Sequence, residues 1–170
     1  SFTELLGEKK SIDKITVNEL AERADITKTT FYYHYDDIYA VAEEFENELI
    51  QELNETLETL ESEKPSNYSE YIKKVTDFIK LNEESYKLAA NASDLSIFAE
   101  KLKTIFTKRM VFMSNPAAFS QNIEKRAVQV CFFISECVDT VMQYLRGNLT
   151  KSLDTVAEVI TEAIEKLTNE

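Results

Sequence analysis

The sequence predicts an all-α protein, with an N-terminal head of three helices followed by a larger helical bundle, about nine helices in all. Only two glycines and two prolines occur in 170 residues. Because these residues mark turns and loops, their scarcity favours long helices with short connectors. Apolar residues recur every three or four positions along most of the chain, which is the spacing of one face of an α-helix. We therefore expect no strands.

Several helix starts are marked by capping residues. Thr16 is an N-cap residue, and Glu19 three positions later completes a capping-box pattern. Thr27 is the corresponding N-cap of the next helix, and Asp36 or Asp37 precedes a long apolar series. The side-chain oxygen of such a residue accepts a hydrogen bond from a backbone N–H that the first helical turn leaves unpaired. Helices should therefore begin directly after these positions.

The apolar spacing gives approximate bounds for all the helices. They run from before Ser1 to Glu8, from Thr16 to Ala24, from Lys28 to about His34, from Ile38 to Leu60, from Tyr68 to Ile79, for one or two turns between Asn82 and Asn91, from Leu95 to Met113, from about Ser120 to Arg146, and from a cap at Thr150 or Ser152 to Leu167. Pro65 with Ser66, and Asn115 with Pro116, are predicted connectors.

The predicted helix between Ser120 and Arg146 differs from the others. Its middle, residues 128–141, is apolar on nearly every side. A helix of this kind has to be covered all round, either by its own domain or by a partner chain. The sequence leaves both possibilities open.

The net charge of −12 at first argues against a nucleic-acid partner, because phosphate binding depends on Lys and Arg. The distribution of charge weakens this objection. Residues 9–34 contain five basic and four acidic side chains, whereas residues 36–70 contain twelve acids and a single lysine. An acidic body with a near-neutral head should repel DNA everywhere except at the head.

Several other classes of protein find little support. The sequence has no run of eighteen apolar residues and no secretory leader, so we expect a cytoplasmic protein without a membrane span. His34 is the single histidine, and no zinc-ligand spacing or nucleophile with a matching base is present, so we expect no metal, no cofactor and no enzyme activity.

The two cysteines, Cys131 and Cys137, are six positions apart on one predicted helix, which is too far for a disulfide within that helix. We expect both to be reduced; a redox switch or a disulfide across the dimer is the alternative.

The second and third helices have the outline of a helix-turn-helix, since both are short and only about three residues separate them. Apolar positions on both helices hold the pair together and leave one side of the third helix free. Small hydroxyl side chains on that side would let the helix approach the groove of DNA, and its lysine could reach a guanine edge. The free side consists of Thr27, Lys28, Thr29, Thr30, Tyr33 and His34.

These residues carry a family resemblance. The run Ile15-Thr16-Val17, then Leu20-Ala21, Ala24 and the segment Thr27–Tyr35 resembles the DNA-binding head of TetR/AcrR-type regulators. The resemblance spans residues 12–42, and it implies a homodimer that binds double-stranded DNA. It also implies that Thr16 contacts phosphate, that Lys28 and Thr29 face bases, and that four further residues hold phosphates or neighbouring bases. Those four are Thr30, Tyr32, Tyr33 and His34.

One position departs from the family pattern. The family usually has a lysine that meets phosphate where this chain has Ile38, and Asp36 and Asp37 just before it supply no cation either. We therefore expect modest DNA affinity, or a contribution from residues ahead of Ser1.

The resulting hypothesis is a ligand-responsive repressor with residues 1–48 as the DNA-binding head and residues 49–170 as the effector-binding and dimerisation domain. Two subunits would pair through the last two helices on a palindromic operator. The dimer-interface candidates are Val138, Val141, Met142, Leu145, Val156, Ile160 and Ile164.

A small-molecule effector would bind in the bundle. Candidate pocket residues are Phe78, Phe98, Phe106 and Phe133, for which plain core packing is the other interpretation. The alternative function is a helical co-regulator or coactivator that acts mainly through protein–protein contacts. The sequence does not fix whether transcription is lowered or raised.

Overall fold

The computed structural model describes residues 1–63, 65, 67–92, 97–113, 119–120 and 122–168. Within these ranges the chain forms nine α-helices and one 3₁₀ turn, with no strand, and the all-α prediction is confirmed. The helices are α1 Phe2–Lys9, α2 Val17–Arg23, α3 Lys28–His34, α4 Ile38–Ser62, α5 Tyr68–Leu81, α6 Glu83–Ala92, α7 Ile97–Met113, α8 Ile123–Leu145 and α9 Leu153–Thr168. The expectations for Ser66, Leu95, Asn115 and Pro116, and for the side chains of Met113 and Leu167, lie outside the described residues.

The predicted caps are present. The backbone N–H of Glu19 donates to Thr16 Oγ1 at 3.3 Å, and the Thr16 N–H donates back to the Glu19 carboxylate at 3.1 Å, which closes the capping box of α2. Asp37 accepts from the Ala40 N–H at 2.9 Å at the start of α4. Ser152, one of the two proposed caps of α9, accepts from the Thr155 N–H. These bonds fix where each helix begins.

In two segments the structure is more helical than the sequence indicated. The region predicted as one or two turns is a full ten-residue helix, α6, which buries Tyr86, Ala89 and Ala90. Because alanine is small, its contribution to a packed face is weak in an apolar pattern, although it lets neighbouring helices approach closely. The connector between α1 and α2 contains a 3₁₀ turn, Ile12–Lys14, that the sequence did not suggest and that buries Ile12.

The described residues form two hydrophobic cores. The head core joins α1, the 3₁₀ turn, α2, α3 and the start of α4, with Phe31 and Leu6 nearly inaccessible to solvent. The body core joins the rest of α4 to α5–α9 around Leu53, Leu57 and Val130. We call these two parts the head and the body; the boundary predicted at residue 48 remains a prediction.

Helix α4 connects the head to the body. Its residue Phe45 packs against both cores. A second connection runs through α1, which packs on α6, where Leu88 and Ala92 belong to or border the head core. Movement of α4 or α6 would therefore move the head. None of the described helices has the length and apolar character that crossing a membrane requires.

Candidate nucleic-acid interface and body cavity

Helices α2 and α3 are joined by a tight turn. Ala24 ends α2, and Asp25 follows with φ of 53°, in the left-handed region that Asp tolerates better than most residues. The Ile26 N–H then donates to the Ala21 carbonyl at 2.9 Å, and Thr27 caps α3 by accepting from the Thr30 N–H at 3.1 Å. The arrangement is the predicted helix-turn-helix.

A single aromatic ring holds α3 against the head. Phe31 is 2% exposed, and its ring contacts those of Tyr32 and Tyr35 at centroid distances of 5.4 and 5.6 Å. Tyr35, half-buried at the end of α3, donates its hydroxyl to the Glu44 carboxylate on α4. Phe31 and Tyr35 thus hold one face of α3 against the head, and the opposite face is exposed to solvent.

All eight predicted DNA-binding residues lie on the surface. Tyr33 is 83% exposed and Tyr32 57% exposed, which is unusual for large aromatic side chains. The exposed set comprises Thr16, Thr27, Lys28, Thr29, Thr30, Tyr32, Tyr33 and His34. Exposure makes these side chains available to DNA; their individual contacts with it remain predictions.

The head divides its cations between ion pairs and free side chains. Lys9 is paired with Glu19 at 2.6 Å, and Arg23 with Glu8 at 2.6 Å. Hydrogen bonding to these cations lowers the pKa of both carboxyls, and at Glu19 the hydroxyl and backbone N–H of Thr16 lower it further. Because each of these two cations is already paired with a carboxylate, it is less available to bind phosphate.

Three lysines in the head have no acidic partner among the described residues: Lys10, Lys14 and Lys28. Lys14 was not predicted from the sequence, yet it is exposed and lies two residues before Thr16, the N-cap of α2. Its position beside an exposed helix N-terminus, where phosphate binds readily, is the signal that could have identified it.

The start of α4 has Ile38 at the position where the resembled family usually has a lysine. Ile38 is buried in the head core at 6% exposure, so this position offers no contact to solvent. The next residue, Tyr39, is 55% exposed, and its hydroxyl donates to Asp13 in the 3₁₀ turn. Here a packing residue and a tyrosine–aspartate bond hold α4 to the head, and cationic contacts have to come from elsewhere.

The body contains a cavity of about 150 Å³ between α5, α7, α8 and α9. Two of the four predicted pocket residues, Phe106 and Phe133, line it. The other two do not. Phe78 and Phe98 pack behind the wall against Tyr86, with ring centroids 6.4 and 5.8 Å apart, and are core residues.

The predicted dimer-interface residues require correction. Six of them line the cavity and the seventh, Met142, is 2% exposed in the core, so these side chains point into their own subunit. The six are Val138, Val141, Leu145, Val156, Ile160 and Ile164. The physical reason is that α8 is apolar on more than one side, and the sequence did not indicate which side packs within the subunit.

The outward side of α8 carries different apolar residues. Val128 and Phe132 are 69% and 73% exposed, and Val159 on α9 is 59% exposed. We call these three residues the outer face. Of the two cysteines, Cys131 is exposed on α8, whereas Cys137 is part of the cavity wall. No three His, Cys, Asp or Glu side chains of the described residues are grouped as a metal site.

Comparison with known proteins supports the interpretation of the head. The family model of bacterial regulatory proteins of the TetR family matches residues 4–45, which include α1, the helix-turn-helix and the start of α4. A search of curated proteins finds no significant match. The matched segment contains most residues of the head core and every residue of the exposed α3 face. Residues 4–45 are therefore similar to the N-terminal domain of the bacterial regulatory proteins of the TetR family.

Proposed function

We propose that the protein is a ligand-responsive repressor that binds a palindromic operator as a homodimer. The observation that supports this most strongly is the exposed face of α3, where Lys28 has no acidic partner among the described residues and is followed by exposed hydroxyl and aromatic side chains. A cation, small donors and flat rings at the start of a short helix suit contact with both bases and phosphates in a major groove.

Dimerisation is assigned to the outer face of α8 and α9. Val128 and Phe132 are four residues apart, so they lie on one side of α8. Large apolar side chains more than two-thirds exposed on one helix are typical of a surface that another protein covers. A second copy is the occupant we propose, because a palindromic site needs two heads related by a twofold axis.

The two α3 helices would then enter successive major grooves, about 34 Å apart along the duplex. Lys28 and Thr29 would contact base edges. Thr16 and Lys14, at and just before the start of α2, would hold phosphates beside them. The acidic segment 36–70, with twelve acids and a single lysine, would keep DNA away from other surfaces.

Ligand response is assigned to the link between the cavity and α4. Helix α7 lines the cavity and is fastened to α4 at two places: Lys101 Nζ lies 3.0 Å from the buried Glu46 carboxylate, and Arg109 contacts Glu61 and Asn54. A ligand that displaces α7 would therefore displace α4 and change the separation of the two heads. A preference of ~1 to 3 kcal/mol for one of the two arrangements is enough to change operator affinity.

The test is DNA binding by Lys28→Ala, measured by fluorescence anisotropy on duplexes selected in vitro by the wild-type protein. Loss of one base contact should weaken specific binding by about 5- to 150-fold, corresponding to roughly 1 to 3 kcal/mol, and relax the preference at one base position. The matched control is Lys151→Ala, an exposed lysine in the α8–α9 connector, which should bind like the wild type.

Equal binding by Lys28→Ala and the wild type would remove α3 from the interface. If no sequence were selected at all, the alternative of a co-regulator that acts through protein contacts would replace the proposal. A reporter gene downstream of the selected site decides the sign, with lower expression expected when the protein is present.

A further inference from the structure

The proposed function includes a ligand but not its chemistry. We propose that the body cavity takes a small, neutral, largely apolar molecule of about one ring, with at most one hydroxyl or carbonyl oxygen, held beside Tyr71. This inference rests on the proposed ligand response and concerns the same cavity.

The size of the cavity limits the ligand. Its volume of about 150 Å³ is that of an engineered protein cavity known to hold benzene. Aliphatic and aromatic side chains, among them Phe106, Phe133 and Val141, make up nearly all of the wall. A single ring with one or two small substituents fits this space.

The wall offers no free charge to an ionised ligand. Arg109 is the charged residue that lines the cavity, and its guanidinium is already engaged by α4. Nη1 contacts Glu61 at 2.5 Å, and Nη2 contacts the Asn54 side-chain oxygen at 2.8 Å and the Asn54 carbonyl at 3.2 Å. A carboxylate or an ammonium ion in this cavity would be desolvated without a counter-charge, which is strongly unfavourable.

Two of the four hydroxyl groups on the wall are engaged. The Thr76 hydroxyl donates to the Ile72 carbonyl at 2.8 Å, and the Tyr86 hydroxyl donates to the Leu49 carbonyl at 3.4 Å. The hydroxyls of Tyr68 and Tyr71 have no hydrogen-bond partner among the described residues. Burial raises the pKa of the Tyr71 hydroxyl. We therefore assign this hydroxyl to one polar atom of a ligand.

Tyr71 and Cys137 both stay neutral at physiological pH. Desolvation, reinforced by the nearby Glu61, raises the pKa of Tyr71 to about 12, and burial raises the pKa of the Cys137 thiol to about 12. The cavity therefore presents a protonated phenol and a protonated thiol in an apolar wall. A neutral hydroxyl or carbonyl compound can hydrogen-bond there without the burial of a charge.

The test compares probes of similar size and different charge on the full chain, by calorimetry and thermal unfolding. Toluene and p-cresol should bind and raise the unfolding temperature, because ligands of the native state stabilise it. Benzoate and benzylammonium should not bind. Stronger binding by either ion than by toluene, or no binding by any neutral probe at millimolar concentration, would overturn the proposal.

Two variants sharpen the result. Tyr71→Phe should weaken p-cresol by about 2- to 12-fold, the value of one hydrogen bond, and leave toluene unchanged. Ala157→Leu, which fills the cavity, should abolish toluene binding. Equal loss of both probes in Tyr71→Phe would contradict the assigned hydrogen bond, and this variant keeps the test decisive if Ala157→Leu fails to fold.

DNA binding is measured separately, so the two proposals fail in different ways. If neutral probes bind and the operator affinity stays the same, the ligand class stands and the ligand response falls. If the protein binds its selected DNA but only ionic probes bind the cavity, the ligand class falls and DNA recognition stands.

Discussion

The third helix of the head and the eighth helix of the body bury their residues in opposite ways. Helix α3 inserts one ring, Phe31, and exposes the rest of its length, including two tyrosines. Helix α8 buries a full stripe around Val130 and Val138 and still exposes Phe132 on its other side. An exposed face made of polar and aromatic residues suits DNA, whereas an exposed face made of aliphatic and aromatic residues suits a partner helix.

The strongest test of this difference places the same charge on the two sides of α8. Val138→Glu puts a carboxylate into the cavity wall, and we expect a loss of about 5 kcal/mol or more, comparable with the whole stability of a domain. Phe132→Glu should leave the subunit folded, because that side chain is already 73% exposed, and should yield monomers. Urea denaturation and light scattering measure the two effects.

A folded, stable Val138→Glu protein would contradict the inward orientation of that face. A Phe132→Glu protein that remained dimeric would contradict the outer face as the interface.

The head should depend on its single anchoring ring. Phe31→Ala removes a ring that is 2% exposed, and we expect a loss of about 3 to 5 kcal/mol in the unfolding free energy of the head. DNA binding should fall below detection, while toluene binding in the body persists. Tyr33→Ala, on the exposed side of the same helix, is the control and should leave the unfolding free energy within about 0.5 kcal/mol of the wild type. Similar destabilisation by both variants would argue against a one-sided α3.

A smaller effect is expected at the cap of α2. Thr16→Ala removes the acceptor for the Glu19 N–H and should cost about 1 kcal/mol, whereas Thr16→Ser should restore most of it. Thermal unfolding gives the stability, and anisotropy gives the DNA affinity. If Thr16 also holds phosphate, the alanine variant should lose more affinity than its stability loss explains. Full recovery of DNA binding on cooling would instead confine its role to the cap.

The smallest effect concerns the reactivity of the two cysteines. Burial raises the pKa of Cys137 to about 12, so its thiol stays protonated and unreactive, while the Cys131 side chain is exposed to solvent. In the monomeric Phe132→Glu variant at pH 8, maleimide should label Cys131 at least ~100-fold faster than Cys137. Raising the pH to 9 should leave Cys137 slow, because its pKa is still well above that value. Equal rates in the folded protein would contradict the cavity position of Cys137; equal rates in denaturant are the control.

The same contrast between head and body explains what the sequence could predict. In the head, the caps at Thr16 and Thr27 bond to residues three positions away, and these local hydrogen bonds can be inferred from spacing. Phe31 is the buried residue of α3. Once this one residue is assigned to the core, the exposed side of the helix can be inferred from the sequence. The start and end of α3 were therefore predicted correctly, and its exposed residues were correctly chosen.

In the body, the helices were predictable but their orientation was not. Val138 and Phe132 are both apolar residues of α8, and only packing against distant helices decides that one lines a cavity and the other faces solvent. The same limit applies to Phe78 and Phe98, for which the sequence left pocket lining and core packing open; both pack against Tyr86 behind the cavity wall. Long-range packing leaves little trace in the spacing of a single helix.

Hydroxyl-radical footprinting of the wild-type protein on its selected DNA tests most directly whether α3 contacts DNA, twice per dimer. We expect two protected patches whose centres are one helical turn, about 10 base pairs, apart. Lys28→Ala should lose both patches together at concentrations where the wild type protects fully. A single patch, or protection that is unchanged in Lys28→Ala, would contradict the assignment of the exposed α3 face as the DNA-binding surface.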